Sequence, residues 1–167
     1  MTEASRPVRI ERLGPTDWEL LRDVRLAALR DSPHAFWAKL SDESRYDREK
    51  WLSFLNAVTW FVARRDTGDS AGVAGLHQPG ESEPQVIGMW VVPAERGHGI
   101  GAQLTLAAVQ QAEHQGARSV ELWVTDGNDT ARRMYQRLGF HLTGESAQLP
   151  HDSATGERKM RMSLGQD

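Results

Sequence analysis

The chain predicts an α+β, or mixed α/β, fold: one central sheet of about seven strands flanked by four helices. Three observations lead there. Runs with strand and helix periods succeed one another in the order β-α-α-β-β-β-α-β-α-β-β, neighbouring strands with helices inserted. Composition is globular, with 39% hydrophobic residues and 15 Gly in 167 residues, a length suited to one domain over residues 1–167. A glycine-rich turn joins one strand directly to the longest apolar helical stripe.

Each element follows from local pattern. Residues 8–13 alternate apolar and polar as a strand does, and Gly14-Pro15-Thr16-Asp17 supplies turn and cap chemistry. Trp18, Leu21, Val24, Ala28 and Leu29 then recur at helical spacing. Ser44 with Asp47 three residues on reads as the opening of a second helix carrying Trp51 and Leu55, and the charged run 42–50 as its solvated face. Two apolar runs, 59–65 and 72–77, flank Asp66-Thr67-Gly68-Asp69 as a hairpin. A third run, 85–92, stops at Pro93, which cannot donate to a ladder. Ile100, Leu104, Ala107, Ala108 and Ala112 form the stripe of a helix closing near Gly116. Residues 119–124 are strand, 128–138 helix stopped by Gly139, and 140–144 with 158–164 two closing strands. The polar segment Ser146 to Gly156, holding Pro150, is expected to be a mobile loop.

Charge and composition exclude several function classes. A net charge of −3 lacks the basic excess that phosphate-backbone binding needs, so no nucleic-acid partner is expected. With no cysteine there is no disulfide framework, thiolate zinc site or cysteine nucleophile, which fits a reducing compartment. The first residues carry charges and no apolar leader, and no run approaches a membrane span. A soluble, cytoplasmic protein without a membrane partner is therefore expected. The histidines show no metal-ligand spacing with carboxylates, so no metal is expected.

The most informative stretch is Val91-Val92-Pro93-Ala94-Glu95-Arg96-Gly97-His98-Gly99-Ile100-Gly101. Three glycines and a cation lie between a strand and a helix N-terminus. Residues without side chains let backbone N–H groups converge on phosphate oxygens, the helix end adds partial positive charge, and Arg96 can add charge-assisted hydrogen bonds. A pyrophosphate is the natural guest, although an isolated Gly-x-Gly is more often only a tight turn. Gly97 to Ala102 also satisfies the dinucleotide pattern G-x-G-x-x-G/A, with Glu121 about twenty residues on. That fold, however, puts the turn after its first strand, and here about four strands precede it. A P-loop fails because no Gly-Lys-Ser/Thr follows.

The signature Arg96-Gly97-His98-Gly99-Ile100-Gly101, preceded by Val91-Val92-Pro93, resembles the R-x-x-G-x-G/A motif of the GNAT superfamily of acyl-CoA-dependent N-acetyltransferases. Residues 128–140, with Asn128, Ala131, Tyr135, Gly139 and Phe140, are similar to that family's N-x-x-A-x-x-x-Y-x-x-x-G-F segment. The match covers about residues 86–145. The resemblance implies a mostly antiparallel twisted sheet with one splayed strand pair at the cofactor site. It divides the chain into an acceptor-shaping part over about 1–80, an acyl-CoA-binding part over about 84–145 and closing strands over about 139–164. It further implies that Met89, Trp90 and Val91 pair with the amide-bearing arm of acetyl-CoA, that Arg96, Gly97, His98, Gly99, Ile100, Gly101 and Ala102 wrap the pyrophosphate, and that Asn128 bonds the cofactor arm or nearby backbone.

The activity so implied is acetyl transfer from acetyl-CoA to a primary amine of a small molecule or peptide, with CoA as product. Tyr135 would protonate the leaving thiolate, and a backbone N–H near Val91 would receive the oxyanion. The base is less defined: some members place Glu five residues before the motif Asn, and Trp123 stands there. Glu121 shares a strand face with Trp123 and is the candidate, alongside its plainer reading as a strand carboxylate. His77, Glu81 and Glu83 lie at or after a strand end within reach of an acceptor, or are loop polarity. Trp60, Trp90 and Trp123 are sheet aromatics, core by default; lining a cleft, they would favour a flat or cationic amine. A non-catalytic acyl-CoA sensor is the competing reading. An exposed sheet edge leaves homodimerisation open.

Overall fold

The computed structural model describes residues 7–165. Seven strands form one sheet in the order β1-β2-β3-β4-β5-β7-β6. They are β1 (Val8–Arg12), β2 (Val58–Arg65), β3 (Ser70–His77), β4 (Gln85–Val91), β5 (Ser119–Thr125), β6 (His141–Leu149) and β7 (Asp152–Ser163). Every neighbouring pair is antiparallel except β4 with β5, which is parallel. The mixed α/β class expected from the pattern is therefore the fold.

Two apolar layers cover the sheet. On one face α4 (Ile100–His114) and α5 (Asp129–Leu138) bury Leu104, Ala108, Ala112 and Tyr135 against Val120, Leu122, Val124 and Met160. On the other, α1 (Trp18–Asp31) and α3 (Arg48–Ala57) bury Leu21, Ala28, Trp51 and Leu55 against Trp60, Val62, Val73 and Trp90. Alternation along each strand sends successive side chains to opposite layers.

Three local expectations are corrected. The helix count rises to five, because the single turn α2 (Leu40–Glu43) precedes α3. Asp47, expected inside a helix opened by Ser44, is instead the N-cap of α3, its carboxylate accepting from Lys50 N at 2.8 Å. The expected mobile loop Ser146 to Gly156 is the end of a long β6–β7 hairpin turning at Pro150 and His151. Its strands run past the sheet core with polar residues on both faces, so no apolar alternation marked them.

A buried ion pair ties α1 to α2. Arg25 Nε donates to Glu43 Oε2 at 2.9 Å and Nη2 to Oε1 at 3.0 Å. The guanidinium also lies 5.3 Å from the Phe36 ring and 5.8 Å from that of Trp60.

Candidate active site

The site begins where β4 and β5 part. Only Gln85 with Glu121 and Val86 with Leu122 are paired, after which the strands diverge. The cause lies in β4. Gly88 sits at φ +61°, where the register with β3 shifts between Val73 and Gly75, so β4 bulges. Only glycine fits there: a Cβ would stand 2.8 Å from Arg25 Nη1 and 3.2 Å from the Trp60 ring.

Beyond the bulge, one edge of β4 stays free. Val92 N donates to Ala71 O at 2.8 Å on the β3 side, so the Val91 carbonyl on the same peptide points into the gap. There it accepts from Arg96 Nε at 3.0 Å. In an extended strand a residue's N–H and C=O share an edge, so Val91 N–H faces the gap as well. Met89 packs toward α4, and Trp90 is buried toward α1.

The turn after β4 is open as well as glycine-rich. Gly97 and Gly99 both adopt φ +82°, and no atom lies within 4 Å of a Cβ built at either. Gly99 is the N-cap of α4 and offers no side-chain cap, leaving first-turn N–H groups for a ligand. Ile100 is buried, while Gly101 approaches Met134 and Met89, fixing the first turn of α4 against β4 and α5. Ala102 is half-buried in that turn. His98 is exposed, with Nδ1 3.2 Å from the Glu95 carbonyl.

Asp31, which sequence reasoning missed, anchors this corner. Its Oδ2 accepts from Arg96 Nη2 at 2.7 Å, from Trp90 Nε1 at 2.9 Å and from Ser32 Oγ at 2.7 Å. The hydrogen bonds from Trp90, Ser32 and Arg96 bring its carboxyl down to about 2. One signal was available, since an acidic last residue of a helix opposes the macrodipole and must be engaged elsewhere.

Across the gap, α5 begins at Asn128, whose Oδ1 accepts from Ala131 N at 3.3 Å as an N-cap. Tyr135, one turn before the helix end, is 6% exposed and packs edge-on against Phe140 at 5.8 Å. Burial pushes its phenol well above the ordinary range. No hydrogen bond engages its hydroxyl among the described residues.

Glu121 lies on the opposite face from Tyr135, 6% exposed on β5. Arg161 Nη2 donates to its Oε1 at 3.0 Å, and Lys159 Nζ stands 3.0 Å from its Oε2, an ion pair without an aligned hydrogen bond. Burial pushes this carboxyl up, but the two cations outweigh it and hold it below the usual range. Such a carboxylate is spent on its partners. Trp123 lies beside it under Lys159, 5.2 Å from the ammonium.

Trp60 is core, packed against Phe54 and the Gly88 bulge. His77 pairs with Gln85 in register and Glu81 and Glu83 follow in the β3–β4 loop, all at the paired end of the gap, opposite the glycine turn. Two residues that sequence reasoning passed over stand on the α1 side. Glu157 of β7 is 3% exposed, and its Oε1 accepts from Trp37 Nε1 at 2.7 Å. Trp37 itself is 54% exposed.

A parted parallel strand pair leading into an open glycine turn at a helix N-terminus defines a seat for an elongated ligand with amides along its length and an anion at its end. The model of the Acetyltransferase (GNAT) family matches residues 24–140, and the chain belongs to that family. It is 32% identical over 145 residues to a mycothiol acetyltransferase of Thermobispora bispora, covering 83% of this chain and 48% of the relative. It is 35% identical over 106 residues to a streptothricin acetyltransferase of Streptomyces lavendulae, covering 62% and 56%. The chain thus spans about half the length of the curated relatives it matches. Among solved structures it is similar to a Salmonella typhimurium protein determined with its cofactor acetyl-CoA, at TM-score 0.76 and 18% identity over 96% of this chain and 95% of that one. That likeness is one of fold.

Proposed function

We propose that this chain transfers an acetyl group from acetyl-CoA to a primary amine of a small molecule or peptide by direct attack of the amine on the thioester, releasing CoA. The observation that carries this reading is the parting of β4 from β5 after two paired residues, directly upstream of a turn with two left-handed glycines. The small-molecule side draws support from relatives named for mycothiol and streptothricin.

Met89, Trp90 and Val91 hold the amide-bearing arm along the free edge of β4, as an added strand would lie. Arg96, Gly97, His98, Gly99, Ile100, Gly101 and Ala102 hold the diphosphate. They act chiefly through backbone N–H groups, because the Arg96 guanidinium is engaged by Asp31 and the Val91 carbonyl. Asn128 fixes the start of α5 and the wall it forms beside the arm. The bound thioester supplies an activated acyl carbon and a thiolate leaving group.

Val91 N–H donates to the acyl oxygen, where negative charge develops. Tyr135 Oη keeps its proton through neutral pH and gives it to the departing sulfur. The burial that raises the phenol raises a neighbouring thiolate too, so the transfer is not uphill by the full shift. Glu121 orders Lys159 and Arg161 on the acceptor face. The amine attacks from its neutral fraction without a dedicated base, sheds one N–H proton to water as the tetrahedral intermediate collapses, and a proton from water restores the Tyr135 hydroxyl. The absence of cysteine suits work in the cytoplasm.

A thiol-release assay over a panel of amines tests the proposal. Amine-dependent CoA release supports it. Tight acetyl-CoA binding with no amine-dependent release would make the chain a sensor instead.

A further inference from the structure

Three glutamates are buried on the α1–α3 face, and two have cations. Glu43 has Arg25, and Glu121 has Lys159 and Arg161. Glu157, as buried as either, has none within ion-pair distance among the described residues. Its one partner is the neutral indole N–H of Trp37. Lys159, two residues along the same face of β7, is committed to Glu121 at 3.0 Å and Glu145 at 2.8 Å. A carboxylate taken out of water without a counter-charge is expensive to keep, and burial pushes this one upward.

Position says what the missing charge belongs to. Glu157 pairs in register with Thr125, at the end of β5 where the gap from β4 has opened. Strand alternation puts it on the face of Trp123, Glu121 and Lys159, the face on which Trp90 also borders the gap. Trp37 is largely exposed, so an aromatic surface stands beside the carboxylate and open to solvent. Carboxylate and indole together suit an alkylammonium, through a charge-assisted hydrogen bond and a cation–π contact.

We propose that Glu157 and Trp37 bind an ammonium group that the acceptor carries in addition to its reacting amine, making dicationic amines the preferred acceptors. The reacting nitrogen itself is not the one held. An anionic partner would keep it protonated and so deny it the lone pair that attack requires. Glu157 stands one strand beyond β5, itself already parted from β4, and so lies off the gap, where a second charge on the same molecule would reach it. This inference rests on the transferase reading above.

The test compares 1,3-diaminopropane with propylamine in the thiol-release assay, for the unaltered chain, Glu157→Gln and Trp37→Ala. Gln keeps an acceptor oxygen for Trp37, so Glu157→Gln is expected to hold its thermal midpoint or raise it. The unaltered chain is expected to favour the diamine in kcat/KM by about tenfold or more. Glu157→Gln should abolish that preference through KM and leave propylamine turnover and acetyl-CoA affinity unchanged. Trp37→Ala, at an exposed ring, should lower the same preference by a smaller factor. Equal kcat/KM for the two amines in the unaltered chain, or a preference that survives Glu157→Gln, would overturn this inference while leaving the transferase reading intact. No release with any amine would overturn both.

Discussion

A phenol sealed in the seam between a helix and a sheet keeps its proton at neutral pH, and Tyr135 is such a group. Tyr135→Phe retains the ring against Phe140 and removes only the hydroxyl. Turnover should fall about 100-fold while the acetyl-CoA Kd moves by less than about twofold, read by steady-state kinetics beside calorimetry. Equal turnover would strip Tyr135 of the proton. Asp31 makes a second prediction. Its folded pKa, about 2, lies below the ordinary 3.8, so its three hydrogen bonds stabilise the fold fully above that ordinary value. The contribution is lost as pH falls from about 4 toward 2. Thermal midpoints of the unaltered chain should drop over that window, and Asp31→Asn should flatten the drop while lowering the midpoint at neutral pH. Single residues are also where sequence reasoning reached least. Glu121 was singled out as a candidate base and Glu157 was passed over, and what separates them is which cations the register of β5 with β7 places beside each.

At the scale of the element, the gap between β4 and β5 depends on one backbone kink. Gly88→Ala places a side chain at φ +61° and a Cβ 2.8 Å from Arg25 Nη1. The left-handed conformation alone costs about 1–2 kcal/mol for a non-glycine residue, so urea unfolding should show a loss of about 2 kcal/mol or more. Because the bulge shapes the gap, acetyl-CoA affinity should fall with it. A protein of undiminished stability and affinity would detach the gap from the bulge. Elements with an apolar stripe or a punctuated end were legible: α4 from Ile100, Leu104, Ala108 and Ala112, α5 from Asn128 and Gly139, and β4 from its stop at Pro93. The two closing strands were legible where they join the sheet, but the outer end of the β6–β7 hairpin, within 146–156, was not, because its mostly polar residues carry no apolar alternation. The single turn α2 is held by the contact of Glu43 with Arg25, eighteen residues away, which no local pattern records.

At the scale of the whole molecule, two helical layers meet different partners across one sheet. The α4–α5 face supplies the glycine turn and Tyr135, and the α1–α3 face supplies Trp90, Asp31, Glu157 and Trp37. In the transferase reading proposed above, the parted strands join the two faces, and a donor held from one side meets an acceptor approaching from the other. The donor half was legible because backbone chemistry writes itself as glycine and proline in fixed order. The proposed acceptor contacts were not, since Trp37 and Glu157 come from segments about 120 residues apart.

The seat of the diphosphate and its arm is tested most directly by backbone amide shifts on titration with acetyl-CoA, in the unaltered chain and in Gly99→Val. Saturable shifts should concentrate at Met89 to Val91 and Gly97 to Ala102, and Gly99→Val should weaken affinity at least about tenfold by crowding the turn. Shifts that leave both stretches untouched, or a Gly99→Val protein that binds as tightly, would contradict it.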